Sequence, residues 1–208
     1  MHYEYKVTNI LENRVTEEVK KFLKSDEAQK FLNKNDLKGL YEYADGDDSP
    51  LHSKMSSISL LTKILYLCGI DIFDYNLTYV PASSFYLSSL TKITIPNNMS
   101  RIGECAFSNS RLKEVVIPGS VKSVGVCAFE YSSMLETIIV EEGVKELYNS
   151  CFNNISVDAE IYLPYSINYI SKEGIINPFD RVVFKVHQDS YAEKACKNFG
   201  YKYDYIFT

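Results

Sequence analysis

The chain has no tryptophan, and its three histidines (His2, His52, His187) stand far apart in 208 residues. None has a companion at ligand spacing, and no HExxH, Walker A or GxSxG pattern occurs. The nine glycines are scattered, so no glycine-rich loop exists to cradle a phosphate. Five cysteines (Cys68, Cys105, Cys127, Cys151, Cys196) form no CxxC pair and are odd in number. That fits reduced, buried thiols better than a disulfide framework or a zinc site. Positive charge is not in excess: 22 basic against 27 acidic residues leave a net charge of −5, and no basic stripe alternates with aromatics. A nucleic-acid-binding face is not expected from such a balance. No segment approaches the roughly 18 consecutive apolar residues of a membrane span. The longest apolar-rich one, "ISLLTKILYLCGI", is broken by Thr62 and Lys63 and reads as a buried helix. Residues 1–21 lack the basic start, apolar run and small-residue cleavage site of a secretory signal. The expectation is a cytoplasmic protein with no metal, no cofactor, no nucleic acid and no membrane partner.

What the chain does have is repetition. In "NNMSRIGECAFSNSRLKEVVIPGSVKSVGVCAFE", residues 97–130, Ile102-Gly103 precedes Ala106-Phe107 as Val124-Gly125 precedes Ala128-Phe129. Strand-like triplets begin at Ile93, Val115, Ile138, Ile161 and Phe184, so 22 or 23 residues apart. A second column holds Ile102, Val124, Leu147 and Ile170, and a third holds Phe107, Phe129, Phe152 and Ile175. A weaker copy lies upstream at Val80 and Phe85. One short strand per unit at this period is the mark of a leucine-rich-repeat solenoid with a parallel sheet. Each triplet alternates inward, outward, inward, as a half-buried strand does. Pro96, Pro118 and Pro164 follow their triplets and, having no N–H to give the ladder, turn the chain. No unit can bury its own face, so neighbours must stack.

The wording "LKEVVIPGSVKSVGVCAFEYSSML" resembles the BspA-like leucine-rich repeats, whose pattern is close to L-x-x-I-x-I-P…I-G-x-x-A-F-x-x-C-x-x-L. Leu112 to Phe129 matches nearly every defining position, and Leu90 to Phe107 almost as well. The third unit has Glu141 for proline and Cys151 for alanine; the fourth has Ile175 for phenylalanine. The usual cysteine after the phenylalanine is absent throughout. The resemblance covers about residues 70–208 and implies a solenoid whose last part, about 189–208 ("DSYAEKACKNFGYKYDYI"), is a short helix and a final extended segment. It implies no single ligand, because the repeat is a scaffold reused for many.

Residues 1–69 lack the repeat and read as a helical N-terminal domain or cap. Leu11, Val15, Val19 and Phe22 lie at helical spacing. Ser25-Asp26-Glu27 and Asn35-Asp36 look like helix N-caps for "EAQKFLNK" and "LKGLYEYA", and "MSSISLLTKILYLCG" returns to helix. These helices either cover the first edge of the solenoid or form a binding surface of their own. The expected fold class is α+β repeat: a short α-helical N-terminal domain followed by a leucine-rich-repeat solenoid with one parallel β-sheet.

With no catalytic constellation in view, the candidate site is the outward face of that sheet. One expected ladder runs Thr94, Val116, Ile139, Tyr162, Lys185; the other runs Lys92, Glu114, Thr137, Glu160, Val183. Binding is assigned to Thr94, Val116, Ile139, Tyr162 and Lys185 with Glu114 and Glu160. The apolar centre of the first ladder is either a contact site or β-branched residues suited to strands. Seventeen tyrosines favour the contact reading, since tyrosine gives amphipathic area at low entropy cost. The functional expectation is a non-enzymatic binder of a protein partner, of unspecified oligomeric state. It would be an intracellular, stoichiometric inhibitor of a host protein, of the kind a phage or mobile element directs against a defence nuclease such as a CRISPR effector. The alternatives are a bacterial surface adhesion protein, as relatives with this repeat often are, and an enzyme with a site around His187 and Cys196.

Overall fold

The computed structural model describes residues 21–34, 36, 39–40, 43, 78–88, 90–176 and 181–206. Its chain divides into two units, Met1–Leu77 and Thr78–Thr208. The strands, in chain order, are β1 (Arg101–Ile102), β2 (Glu114–Ile117), β3 (Ser123–Val124), β4 (Thr137–Val140) and β5 (Glu146–Leu147). β6 (Glu160–Tyr162), β7 (Tyr169–Ile170), β8 (Val183–Val186) and β9 (Lys202–Tyr205) follow; the helices that lie wholly among the described residues are α1 (Asp26–Leu32) and α2 (Tyr191–Phe199).

The repeat folds into a parallel β-solenoid. Its main sheet has the order β2-β4-β6-β8-β9, every pair parallel. Val115, Ile138, Ile161 and Phe184 share one rung, as the triplet columns require. All four are buried, so the alternation read from the sequence is the alternation of the strands. Glu141 replaces proline after β4, and its N–H donates to the Ile117 carbonyl at 2.9 Å, a bond proline could not make. The first triplet departs from the pattern. Ile93 and Ile95 are buried and Thr94 is exposed, but Ile93–Ile95 is not a strand of the sheet.

A second parallel sheet, β1-β3-β5-β7, adds to the single sheet expected. Each strand is two residues long and buries its second residue, so Ile102, Val124, Leu147 and Ile170 form the second column of the core. The upstream copy joins it through a bridge from Val80 to Ile102. Gly125 sits where a Cβ would lie 2.8 Å from the Ile102 oxygen and the Gly103 carbonyl carbon. The glycine therefore serves close backbone approach between coils.

The third wall is not a strand, yet it is bonded from coil to coil. The N–H groups of Cys105, Phe107 and Asn109 donate to the carbonyls of Val126, Ala128 and Glu130 at 2.7–2.9 Å, and the next coil repeats the set. Two residues per coil hold positive φ: Ser83, Cys105, Cys127 and Ser150 in one column, Leu87, Asn109, Tyr131 and Asn154 in the other. Inside this wall Phe85, Phe107, Phe129 and Phe152 stack with centroids 5.0–5.7 Å apart, all fully buried. Serine takes the place of the missing cysteine. Ser110 and Ser132 are buried with hydroxyls 3.0 Å apart, and Ser132 also donates to the Phe107 carbonyl at 2.9 Å.

The far end is closed by α2 and β9. The Ser190 hydroxyl caps α2 by accepting from Glu193 N–H, and Gly200 ends it in the left-handed conformation at φ 73°. Glu193 also accepts from the N–H of Asp189, the residue before the cap, at 2.7 Å, which ties the entering chain to the first turn. Tyr201 stacks on Phe184 at 5.1 Å, and its hydroxyl accepts from Ile175 N–H at 3.1 Å.

In the first unit, Ser25 caps α1, its hydroxyl accepting from Ala28 N–H. Asp36 accepts from Gly39 N–H at 2.8 Å, as a second cap would. Phe22 and Phe31 both stack on Tyr43. The helices expected across residues 11–20 and 55–69 lie outside the described residues.

Candidate interaction surface

The outward side chains of the main sheet form the two ladders that the register predicts. Val116, Ile139, Tyr162 and Lys185 lie on successive rungs, and β9 adds Asp204. Glu114, Thr137, Glu160 and Val183 form the parallel row, which β9 extends with Lys202. Thr94 and Lys92 are exposed but sit on no rung of the sheet, because the first triplet is not part of it.

The face divides into two halves of different chemistry. Towards β9 it is polar and internally satisfied. Lys185 bridges Glu160 at 3.0 Å and Asp204 at 2.9 Å, and the Tyr162 hydroxyl donates to Glu160 at 2.8 Å. Asp204 and Glu160 together push the Lys185 ammonium up to about 12. Lys185 and then Tyr162 hold the Glu160 carboxyl below its ordinary value, and the Glu160 carboxylate raises the Tyr162 phenol. Tyr162 is half-buried and tied by its hydroxyl, so it belongs to this network rather than to an apolar strip.

Towards the first coil the face has an apolar centre. Val116 is 45% and Ile139 40% exposed on adjacent rungs. With Thr94 they line a groove of about 360 Å³ that Lys92, Glu114 and Glu141 border with charge of both signs. Of the seven predicted residues, the structure gathers Thr94, Val116, Ile139 and Glu114 here, and Tyr162, Lys185 and Glu160 in the network. Glu141, noted in the sequence only as the residue in place of proline, lies on the groove with one carboxylate oxygen accepting from Gly119 N–H at 3.2 Å. The 23-residue register would have placed it there, one step beyond Ile139 on the outward side.

The residues of the enzymatic alternative are otherwise engaged. The His187 ring stacks on Tyr165 at 4.2 Å, and burial pushes the Cys196 thiol up to about 12, which keeps it protonated and a poor nucleophile. Cys105 and Cys127 occupy equivalent positions in successive coils, and burial raises both thiols. Among the described residues no cluster of three or more His, Cys, Asp or Glu is placed to hold a metal ion. Among the same residues no helix is long and apolar enough to cross a membrane.

Residues 78–178 match the family model of the BspA type leucine rich repeat region, in six copies. Among solved structures the chain is similar to the pneumococcal vaccine antigen PcpA, with 20% identity and a TM-score of 0.47 over 53% of this chain and 28% of that one. It is also similar to a leucine-rich repeat protein from Bacteroides capillosus, with 23% identity and a TM-score of 0.35 over 55% of this chain and 82% of that one. The chain thus spans 28% of the pneumococcal antigen's length. No curated protein matches it.

Proposed function

We propose that the chain acts by stoichiometric binding of a protein partner; the match of residues 78–178 to the BspA type leucine rich repeat region, a family typically concerned with protein–protein interaction or adhesion, supports this reading. The contact surface is the outward face of the main sheet, centred on Val116 and Ile139. The observation that carries this is the exposure of two β-branched apolar side chains, 45% and 40%, on adjacent rungs of a hydrogen-bonded ladder. A rigid ladder holds its side chains in place before binding, so little conformational entropy is lost on contact. Apolar groups at the centre of a patch with a polar rim are the usual anatomy of a protein contact.

The test is a pull-down with the purified chain, repeated with Val116→Glu and Ile139→Glu combined. Both positions are exposed, so the double variant keeps its melting temperature while the complex is lost. A complex that survives the double change removes the sheet face from the proposal. Target activity that disappears with sub-stoichiometric chain over time would mean turnover, and the binding reading would be wrong.

The setting is a further part of the proposal: the partner is an intracellular host protein, of the kind a phage or mobile element blocks. The alternative setting is adhesion at a cell surface. Antibody labelling of intact against permeabilised cells separates them, since an inhibitor of an internal protein is reached only after permeabilisation.

A further inference from the structure

The main sheet ends at β9 with one edge open. In the order β2-β4-β6-β8-β9 this strand has β8 as its partner, and among the described residues no backbone group bonds to its other side. Ile206 N–H donates to the Val186 carbonyl at 2.9 Å, so the even-numbered residues of β9 turn their backbone groups to β8. Those groups alternate in direction along a strand, so the N–H and C=O of Tyr203 and Tyr205 point away from the sheet. An edge of this kind is a template for another strand.

The side chains decide which strand fits. Lys202 and Asp204 are both exposed and, two residues apart, share the outward face. Lys202 has no ion-pair partner among the described residues. Asp204 gives one carboxylate oxygen to Lys185 at 2.9 Å, and its side chain is still 64% exposed. A second β9 laid parallel in register would set Lys202 against Lys202 and Asp204 against Asp204. An antiparallel copy centred on Asp204 would set that carboxylate against itself. Centred on Tyr203, the antiparallel copy sets Lys202 against Asp204 twice. Those positions are then the non-hydrogen-bonded pairs, where opposed side chains come closest. On the other face the Tyr203 and Tyr205 rings lie 5.8 Å apart, and the Glu193 carboxylate beside them is already bridged by Lys197. That face brings aromatic surface to the contact with its charges balanced.

We propose that β9 is a self-association site, at which two copies of the chain meet edge to edge, antiparallel, about a two-fold axis at Tyr203. The Tyr203 backbone of each copy donates to and accepts from the other, and the two main sheets become one. The contact is isologous and closes at two copies. Four residues a side make it small, so the dimer is a transient one.

Sedimentation velocity of the full chain over a rising concentration series tests this. The parent moves from one copy to two. Lys202→Glu and Asp204→Lys each oppose like charges at both pairs and raise the dissociation constant about tenfold or more. An equimolar mixture of the two variants associates again, because the mixed dimer opposes unlike charges at both pairs. In the parent, hydrogen exchange at the Tyr203 amide slows as concentration rises, a readout that no variant's folding affects. A parent that stays single throughout, a dimer that survives either single change, a mixture of the two folded variants that stays apart, or a Tyr203 amide indifferent to concentration each overturns the proposal.

Discussion

The rings of Phe107 and Phe129 stack with centroids 5.0 Å apart and planes within 12° of parallel, and neither is exposed. Phe129 also stacks on Phe152, so it is held on both sides by the same residue type from adjacent coils. Phe129→Ala should cost about 3–5 kcal/mol, as truncation of a fully buried aromatic with little room for collapse. Chemical denaturation checks this; a loss under about 1 kcal/mol would place the ring outside the core.

Gly125 makes a separate point about spacing. A Cβ there would fall 2.8 Å from backbone atoms of Ile102 and Gly103, and backbone cannot swing aside as a side chain can. Gly125→Ala, usually a mild change, should destabilise by about 2–3 kcal/mol by prising two coils apart. A melting temperature equal to that of the parent would show that the coils are not in such contact.

The positive-φ corners predict a gain. Tyr131 holds φ 59°, is 54% exposed, and stands in the column that Asn109 and Asn154 also occupy. Asparagine tolerates the left-handed region better than tyrosine. Tyr131→Asn should therefore stabilise by about 0.5–1 kcal/mol, since the bond from its N–H to Asn153 is kept and little packing is lost. Thermal denaturation showing no rise, or a fall, would mean that the tyrosine ring makes up for the strain.

Glu193 sets a pH dependence. Lys197 first, then the Tyr205 hydroxyl and the Asp189 N–H, hold its carboxyl down at about 2, below the ordinary 4.5. A folded-state value below the unfolded one means that the contribution is present above pH 4.5 and is lost as pH falls towards 2. Glu193→Gln should thus lower the melting temperature at pH 6, with the gap to the parent narrowing as pH drops through that window. A gap constant from pH 6 to pH 2 would show that the carboxylate charge has no part in closing the solenoid.

The repeat was legible because a stacked column needs the same residue type at the same place in each coil, as Phe107, Phe129 and Phe152 show. The Ile102 column was legible as core but not as a second sheet, since two residues are too few to display alternation. The left-handed corners left no mark, because Cys105, Leu87 and Tyr131 are not the glycines such positions favour. At the candidate site, Val116 and Ile139 could be placed from the register alone. The separation of Tyr162 from them could not, because it arises from contacts of Glu160 with Lys185 one coil away. The departure of the first triplet was hidden as well: Ile93-Thr94-Ile95 has the pattern of a strand and the burial of one, and lacks only the hydrogen bonds.

From β2 to β8 every rung of the main sheet joins residues 23 positions apart. The entropic cost of closing each loop is then nearly the same for every coil, and no rung has to wait for a distant part of the chain to arrive. Assembly of the array should proceed like a zipper. The first pair of coils is the costly step, and each later coil docks on a finished edge. The same uniformity limits damage: an unfavourable change in one middle coil leaves two shorter runs with their own registers intact, so partial unfolding should come in whole-coil steps.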